Sequence, residues 1–238
     1  MLLVMVILID GLFNKVTGAT ELRQKNLCSL GEMDGFSFFS ENLTYIMLNR
    51  TYDVPGGLNT SMCVMAPFPP VKDDDLHKMR KTFTYRNLST THKLEFEDPK
   101  KDIFLWPVAK FDMQFYNASA SFDLQKSLDT DERFSYVNST FAYKAFGYHL
   151  EPPDWIFWYC DQNCSVVKVM CGTSSEADPT HKENTERKPH CELWIRVPLG
   201  ATSHDIELSK NWMSCTEFLK SKCNDEHIYP VYSSEMCS

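Results

Sequence analysis

The chain has 238 residues and a formal net charge of −8. This length suits one large domain, and β-barrels commonly use it as a single unit. The acidic balance argues against nucleic acid and anionic membrane surfaces as partners.

Residues Leu2 to Ile9 are almost continuously apolar, and Thr17 and Ala19 supply the small residues of a cleavage site. Residues 1–19 therefore read as a secretory signal peptide and 20–238 as one domain. The apolar run is too short to span a bilayer, and no other run qualifies, so the mature chain is expected to be free of the membrane. Seven Asn-x-Ser/Thr sequons, at Asn42, Asn49, Asn59, Asn87, Asn117, Asn138 and Asn163, point to a secreted glycoprotein. Nine cysteines in an oxidising compartment read as disulfides, with one left over or paired to another chain.

In chain order, Phe36 to Glu41 fits one short helical turn. Strands are expected at Leu43 to Tyr52, Thr60 to Phe68, Lys78 to Asn87, Phe111 to Leu124, Phe134 to Phe146, Trp155 to Cys160 and Cys164 to Cys171. Pro55-Gly56-Gly57 ends the first with turn chemistry, and Pro67, Pro69 and Pro70 close the second. Aromatics are abundant, with 16 Phe, 10 Tyr and 5 Trp, as a sheet protein prefers. Residues 172–190 form a charged surface insertion almost without aliphatic residues. No repeat or composition break marks a second domain.

From Cys191 the side chains alternate in type. Glu192, Trp194 and Arg196 share one parity, and Leu193, Ile195 and Val197 share the other, so the two sets face opposite sides of a sheet. Further on, Ser214 with Glu217 fits a capping box, and Leu208, Trp212, Cys215, Leu219 and Cys223 fall near helical spacing. Many short strands followed by one helix indicate an all-β antiparallel barrel or sandwich.

No Gly-x-Ser-x-Gly, His-Glu-x-x-His or phosphate-loop pattern occurs, and catalysis is not expected. The cysteines from 160 to 223, with His181 and His190, lack paired knuckles, so neither a metal nor another cofactor is expected. The acids at 73–75 and 129–132 read as solvated turns. Cys171 and Cys191 bracket the charged insertion, and a bond between them would close it for a gain of roughly 3 kcal/mol.

Several segments together resemble the tick salivary lipocalins, the group that includes the histamine-binding proteins. They are Met62-Cys63-Val64-Met65-Ala66, Met113-Gln114-Phe115, Asp161-Gln162-Asn163-Cys164, Glu192-Leu193-Trp194, the Cys215 helix and the terminal Cys237. The resemblance implies a lipocalin-type eight-stranded antiparallel β-barrel with a C-terminal α-helix packed on its wall. It also implies disulfides Cys63–Cys237 and Cys164–Cys215, with Cys28 tied to Cys223 or Cys160. It implies a secreted monomer that sequesters a small host inflammatory mediator, an amine or a lipid, and in some relatives also binds a host protein such as a complement component.

A cation entering a low-dielectric barrel needs a carboxylate, and aromatic faces add attraction. Positions matching the family's amine site hold Tyr52, Tyr136, Glu192 and Trp194, with Asp53 close to another. Ser165 and Ala118 stand where acids are expected, and Trp155, beside Asp154, stands at a third such position. Three readings follow. Glu192 and Trp194 hold an amine with Asp53 or Asp154; or the cavity takes a lipid whose head group meets Glu192; or Glu192 pairs with Arg196 or another strand residue while Trp194 fills the floor. A fourth reading, of another class, is a protein antagonist acting through the 172–190 loop.

Overall fold

The computed structural model describes residues 33–89, 106–117, 134–170, 189–201, 205–206, 212–223 and 226–237. Alternation along the strands builds the barrel. In β5 (Val108–Asn117), Ala109, Phe111, Met113 and Phe115 are buried, while Lys110, Asp112 and Tyr116 face out. Alternation also marks much of β4 (Lys78–Arg86), the first half of β6 (Phe134–Lys144) and β7 (Asp154–Cys160), whereas β1 (Thr44–Arg50), β2 (Met62–Ala66), β8 (Cys164–Val169) and β9 (Cys191–Val197) carry consecutive buried residues, covered on both faces. These strands pair antiparallel in the order β1-β2-β4-β5-β6-β7-β8-β9, and β9 returns to β1. The result is a closed eight-stranded barrel of lipocalin type, which removes the open edges a flat sheet would expose.

Each segment read as a strand supplies one barrel strand. Two short strands were not expected. β3 (Val71–Asp73) pairs with β4 through a turn at residues 74–77, and β10 (Tyr229–Pro230) pairs with β1. All three residues of β3 are exposed, so it carries no apolar alternation to read.

A short helix, α1 (Gly35–Ser40), plugs one end of the barrel with Phe36, Phe38 and Phe39. Asp34 caps it, Oδ1 accepting from the Ser37 amide at 2.7 Å, while Oδ2 accepts from the Phe134 amide at 3.1 Å. Gly35 is required by close approach: a Cβ there would lie 2.3 Å from the Phe157 ring.

The outer wall carries a second core. Helix α2 (Met213–Lys222) buries Cys215 and Leu219 against Val166, Leu193 and Ile195. Glu192 and Trp194 face the other way, into the barrel, so the two parities of β9 serve two cores as the alternation required. The capping box does not form. Trp212 occupies the N-cap position without a side-chain bond, and Ser214 Oγ donates instead to Asp161 Oδ2 at 2.8 Å.

Disulfides fix these layers. Cys63–Cys237 ties down the tail, where α3 (Ser234–Cys237) ends the described chain, and Cys164–Cys215 staples α2 to β8. Cys191 bonds Cys223, not Cys171. The physical reason is facing. Cys191 shares the outward parity of Leu193, and the last turn of α2 delivers Cys223 to that face. Cys223 is thus not the partner of Cys28. Cys160 is also disulfide-bonded. Cys28 and Cys171 lie outside the described residues, as do the signal segment, Leu208, Ala118 and the insertion up to residue 188.

Cys191–Cys223 spans a sequence separation of 32. Replacing both cysteines with serine should lower the unfolding free energy by about 3–4 kcal/mol, read from denaturant titration. Non-reducing peptide mapping of the native chain should recover the Cys191–Cys223 pair.

Candidate ligand-binding site

Opposite the plug the barrel holds a cavity of about 550 Å³. That volume lies within the range of small-molecule sites. Met47, Val64, Phe83, Phe111, Trp155 and Trp194 form much of its apolar wall. Trp194 is the floor: its ring lies 5.5 Å from Trp155, 5.8 Å from Phe83 and 5.8 Å from Phe39 of the plug.

The polar end is built across the β1–β9 seam, where Arg50 and Glu192 are register partners. A bulge between Met47 and Asn49 inserts one extra residue into β1. Tyr45 and Met47 point inward; without the bulge Asn49 would follow them, and with it Arg50 does. Arg50 is 1% exposed and Glu192 4% exposed. Tyr52 donates to Glu192 Oε1, and Trp194 Nε1 donates to Oε2 at 2.8 Å. Burial pushes the Glu192 carboxyl up from its ordinary range, against the two donors and the Arg50 charge, which hold it down. Arg50 Nη1 donates to Ser61 Oγ at 2.9 Å, and its Nε and Nη2 are buried without a partner. Burial lowers the Arg50 guanidinium, and the nearby Tyr52, Glu192 and Asp53 oppose that.

The 148–154 connection covers the other side. His149 Nδ1 lies 2.7 Å from Tyr85 Oη, and its Nε2 is buried without a partner. Asp154 Oδ1 is likewise buried and unpartnered. Among the described residues the buried side-chain atoms without a partner are Arg50 Nε and Nη2, His149 Nε2, Asp154 Oδ1 and Arg86 Nε, and all but the last belong to residues lining this cavity.

Five of the six residues expected at the site, Tyr52, Asp53, Asp154, Glu192 and Trp194, line the cavity together. Tyr136 does not; it stands on the outer parity of β6, against Tyr116, and meets the site only through a hydrogen bond to Asp154. Glu192 is held by Tyr52 and Trp194, and Arg196 instead bonds the Gln162 carbonyl. Ser165 is buried inside the barrel, where its Oγ donates to the Tyr159 carbonyl at 2.9 Å. Arg50 and His149 were not expected. The bulge hides Arg50 from a count of alternate residues, and His149 lies in a connection without periodicity. Asp161, Cys164 and Cys215 bring ligand-type atoms together, but the two sulfurs are bonded to each other.

No protein-family model matches the sequence, and no curated protein matches it. Among solved structures the chain is similar to Japanin from Rhipicephalus appendiculatus bound to cholesterol. The two share 12% identity with a TM-score of 0.44, over 84% of this chain and 98% of that one.

Beyond the Trp194 floor sits a second buried cation. Lys81 Nζ donates to the Phe39 carbonyl at 3.1 Å and lies 3.9 Å from the Tyr45 ring centroid. Burial lowers its pKa from 10.5 to about 7. Between these values the unfolded chain holds a proton that the folded chain has released, so stability should rise with pH from about 7 to about 10.5. Lys81→Met should flatten that rise, as measured by denaturant unfolding across the interval.

Proposed function

We propose that this protein is a secreted, glycosylated lipocalin that sequesters a small host mediator in its barrel and performs no catalysis. The observation that carries the reading is the set of buried, unpartnered polar atoms on Arg50, His149 and Asp154 around one aromatic-walled cavity. Such atoms are costly unless something answers them. A bound molecule with an apolar body packs on the wall, and its polar head meets these atoms once the side chains that line the cavity turn toward it. The resemblance to tick salivary lipocalins supplies the setting, a molecule released to blunt host defence.

Of the two ligand classes, Arg50 favours a lipid mediator with an acid group. Its Nε and Nη2 form the edge of the guanidinium fork that takes a carboxylate through two parallel bonds. Glu192, which the amine reading uses as counter-ion, already accepts from Tyr52 and Trp194. One observation favours an amine such as histamine: Asp53, Glu151 and Asp154 also line the cavity, and the Asp154 carboxylate keeps a buried oxygen without a donor. The loop expected to engage a host protein lies almost entirely outside the described residues.

Native mass spectrometry of the enzymatically deglycosylated protein, challenged with arachidonate, leukotriene, cholesterol, histamine and serotonin, separates these classes. Retention of an acidic lipid is expected, and Arg50→Met should weaken it by about 10- to 100-fold, the value of hydrogen bonds to a charged group. Retention of an amine alone, with acids ignored, would overturn the lipid assignment. Failure of every ligand to bind would overturn sequestration itself.

A further inference from the structure

The polar end of the cavity holds two buried groups of opposite charge type that are neighbours but not partners. Arg50 and Glu192 face each other across the β1–β9 register. The ion pairs among the described residues are Lys72–Asp74 and Arg80–Asp112, so Arg50 and Glu192 stand further apart than direct contact. Each is bonded elsewhere, Glu192 by Tyr52 and Trp194 and Arg50 by Ser61; Arg50 lines the cavity, and its Nε and Nη2 are buried beside it without a partner.

Glu192 sits in a cage that accommodates both of its protonation states. Trp194 Nε1 can only donate, so Oε2 is an acceptor in either state. Tyr52 Oη can donate to an ionised Oε1 or accept from a protonated one. The hydrogen bonds therefore survive the loss or gain of the proton, while the field at Arg50 changes by a full charge. In a buried site that field is weakly screened.

We propose that Glu192 is the specificity-determining residue of the cavity: uncharged, it leaves Arg50 free to hold an acid head group, and ionised, it satisfies the Arg50 charge and turns anionic ligands away. The proposal rests on the reading of Arg50 as the anchor of an acidic amphiphile. Binding of such a ligand then draws a proton onto Glu192, because a second anion beside Arg50 makes the charged carboxylate less favourable still. Burial has already moved Glu192 upward, so the exchange belongs above the ordinary carboxylate range. The other titratable or charged groups facing this end are Tyr52, Asp53 and Tyr148, with His190 beside Tyr52 and His149, Glu151 and Asp154 around the cavity. From β8 the residue opposite Glu192 is Val167, which contributes no charge.

The test uses probes whose own charge is fixed, so that only the protein titrates. Decanesulfonate and decyltrimethylammonium are titrated into the intact protein and into Glu192→Gln by calorimetry at half-unit steps from about pH 4.5 to about 8.5, a span that brackets a raised carboxylate. Glutamine keeps the acceptor for Trp194 and a partner for Tyr52 and removes the charge. For the native protein, sulfonate affinity should fall as pH rises, by up to about tenfold per unit for one linked proton, and ammonium affinity should rise. In Glu192→Gln sulfonate affinity should stay at its acid-pH value across the range. Measurements in buffers of different ionisation enthalpy should show proton uptake with sulfonate on the falling limb, a readout that needs no variant. A flat native profile without proton uptake, or an unchanged slope in Glu192→Gln, would overturn the role of Glu192 and leave the acid anchor standing. No sulfonate binding at any pH would overturn the anchor and the inference with it.

Discussion

Closure of the barrel along β1 and β9 is the constraint on which the rest of the structure depends. The seam joins the first barrel strand to the last, so it forms only when the whole sheet is in place. It is also where the bulge lies. One extra residue between Met47 and Asn49 turns the strand, ends an apolar inner face and brings a guanidinium into the barrel opposite a carboxylate. A continuous strand would have placed Asn49 inside and left Arg50 on the wall. The polar end of the cavity is therefore a property of the closure itself and cannot be shifted without altering the register of the seam.

Glu192 connects the two halves of the molecule. Its parity in β9 points into the cavity, and the opposite parity supplies the wall on which α2 lies. Cys191, immediately before it, bonds Cys223 and fixes that wall from outside. A buried carboxylate holds a defined geometry only if its strand cannot slide, because a one-residue slip would exchange the inner and outer faces. Two disulfides from the α2 segment, one to β8 and one to β9, and the apolar contacts of Leu219 oppose such a slip. The stapled outer wall is thus what keeps Tyr52 and Trp194 on the two oxygens of Glu192.

What was legible in the sequence followed strict periodicity. Every barrel strand could be read, because two-residue alternation of bulky apolar side chains is a pattern that little besides a half-buried strand produces. The opposite duties of Trp194 and Leu193 were legible for the same reason. Interruptions of the period were not. Arg50 escaped because a bulge reverses parity without leaving a mark in composition. His149 escaped because the chain that carries it crosses the cavity without regular structure. Position on either side of the charged insertion points to Cys171 as the partner of Cys191. The observed partner is set by which face of β9 the thiol leaves and where the last turn of α2 arrives, and both are tertiary facts. Ser214 shows the same limit: its spacing to Glu217 fits a cap, yet Asp161 from the β7–β8 turn offers a competing acceptor that no local window contains.

The two buried cations divide the interior by function. Lys81, behind the Trp194 floor, has an aromatic face and a carbonyl for neighbours, and it serves to hold the plug to β4. Arg50, in front of the floor, lines the cavity and keeps Nε and Nη2 buried without a partner. Ser165 lies on the inner parity of β8, at the position where the resemblance to amine-binding lipocalins leads one to expect an acid. Its hydroxyl donates to the Tyr159 carbonyl and lies 3.3 Å from Cys160 Sγ. A carboxylate in its place would set a negative charge against a carbonyl oxygen, with no hydroxyl left to donate. That position therefore offers no carboxylate to the cavity, and its hydroxyl is committed to a backbone carbonyl. The carboxylates that do line the cavity are Asp53, Glu151, Asp154 and Glu192, with the Arg50 guanidinium among them at the seam, and the chemistry of the site follows from how this mixed set is neutralised.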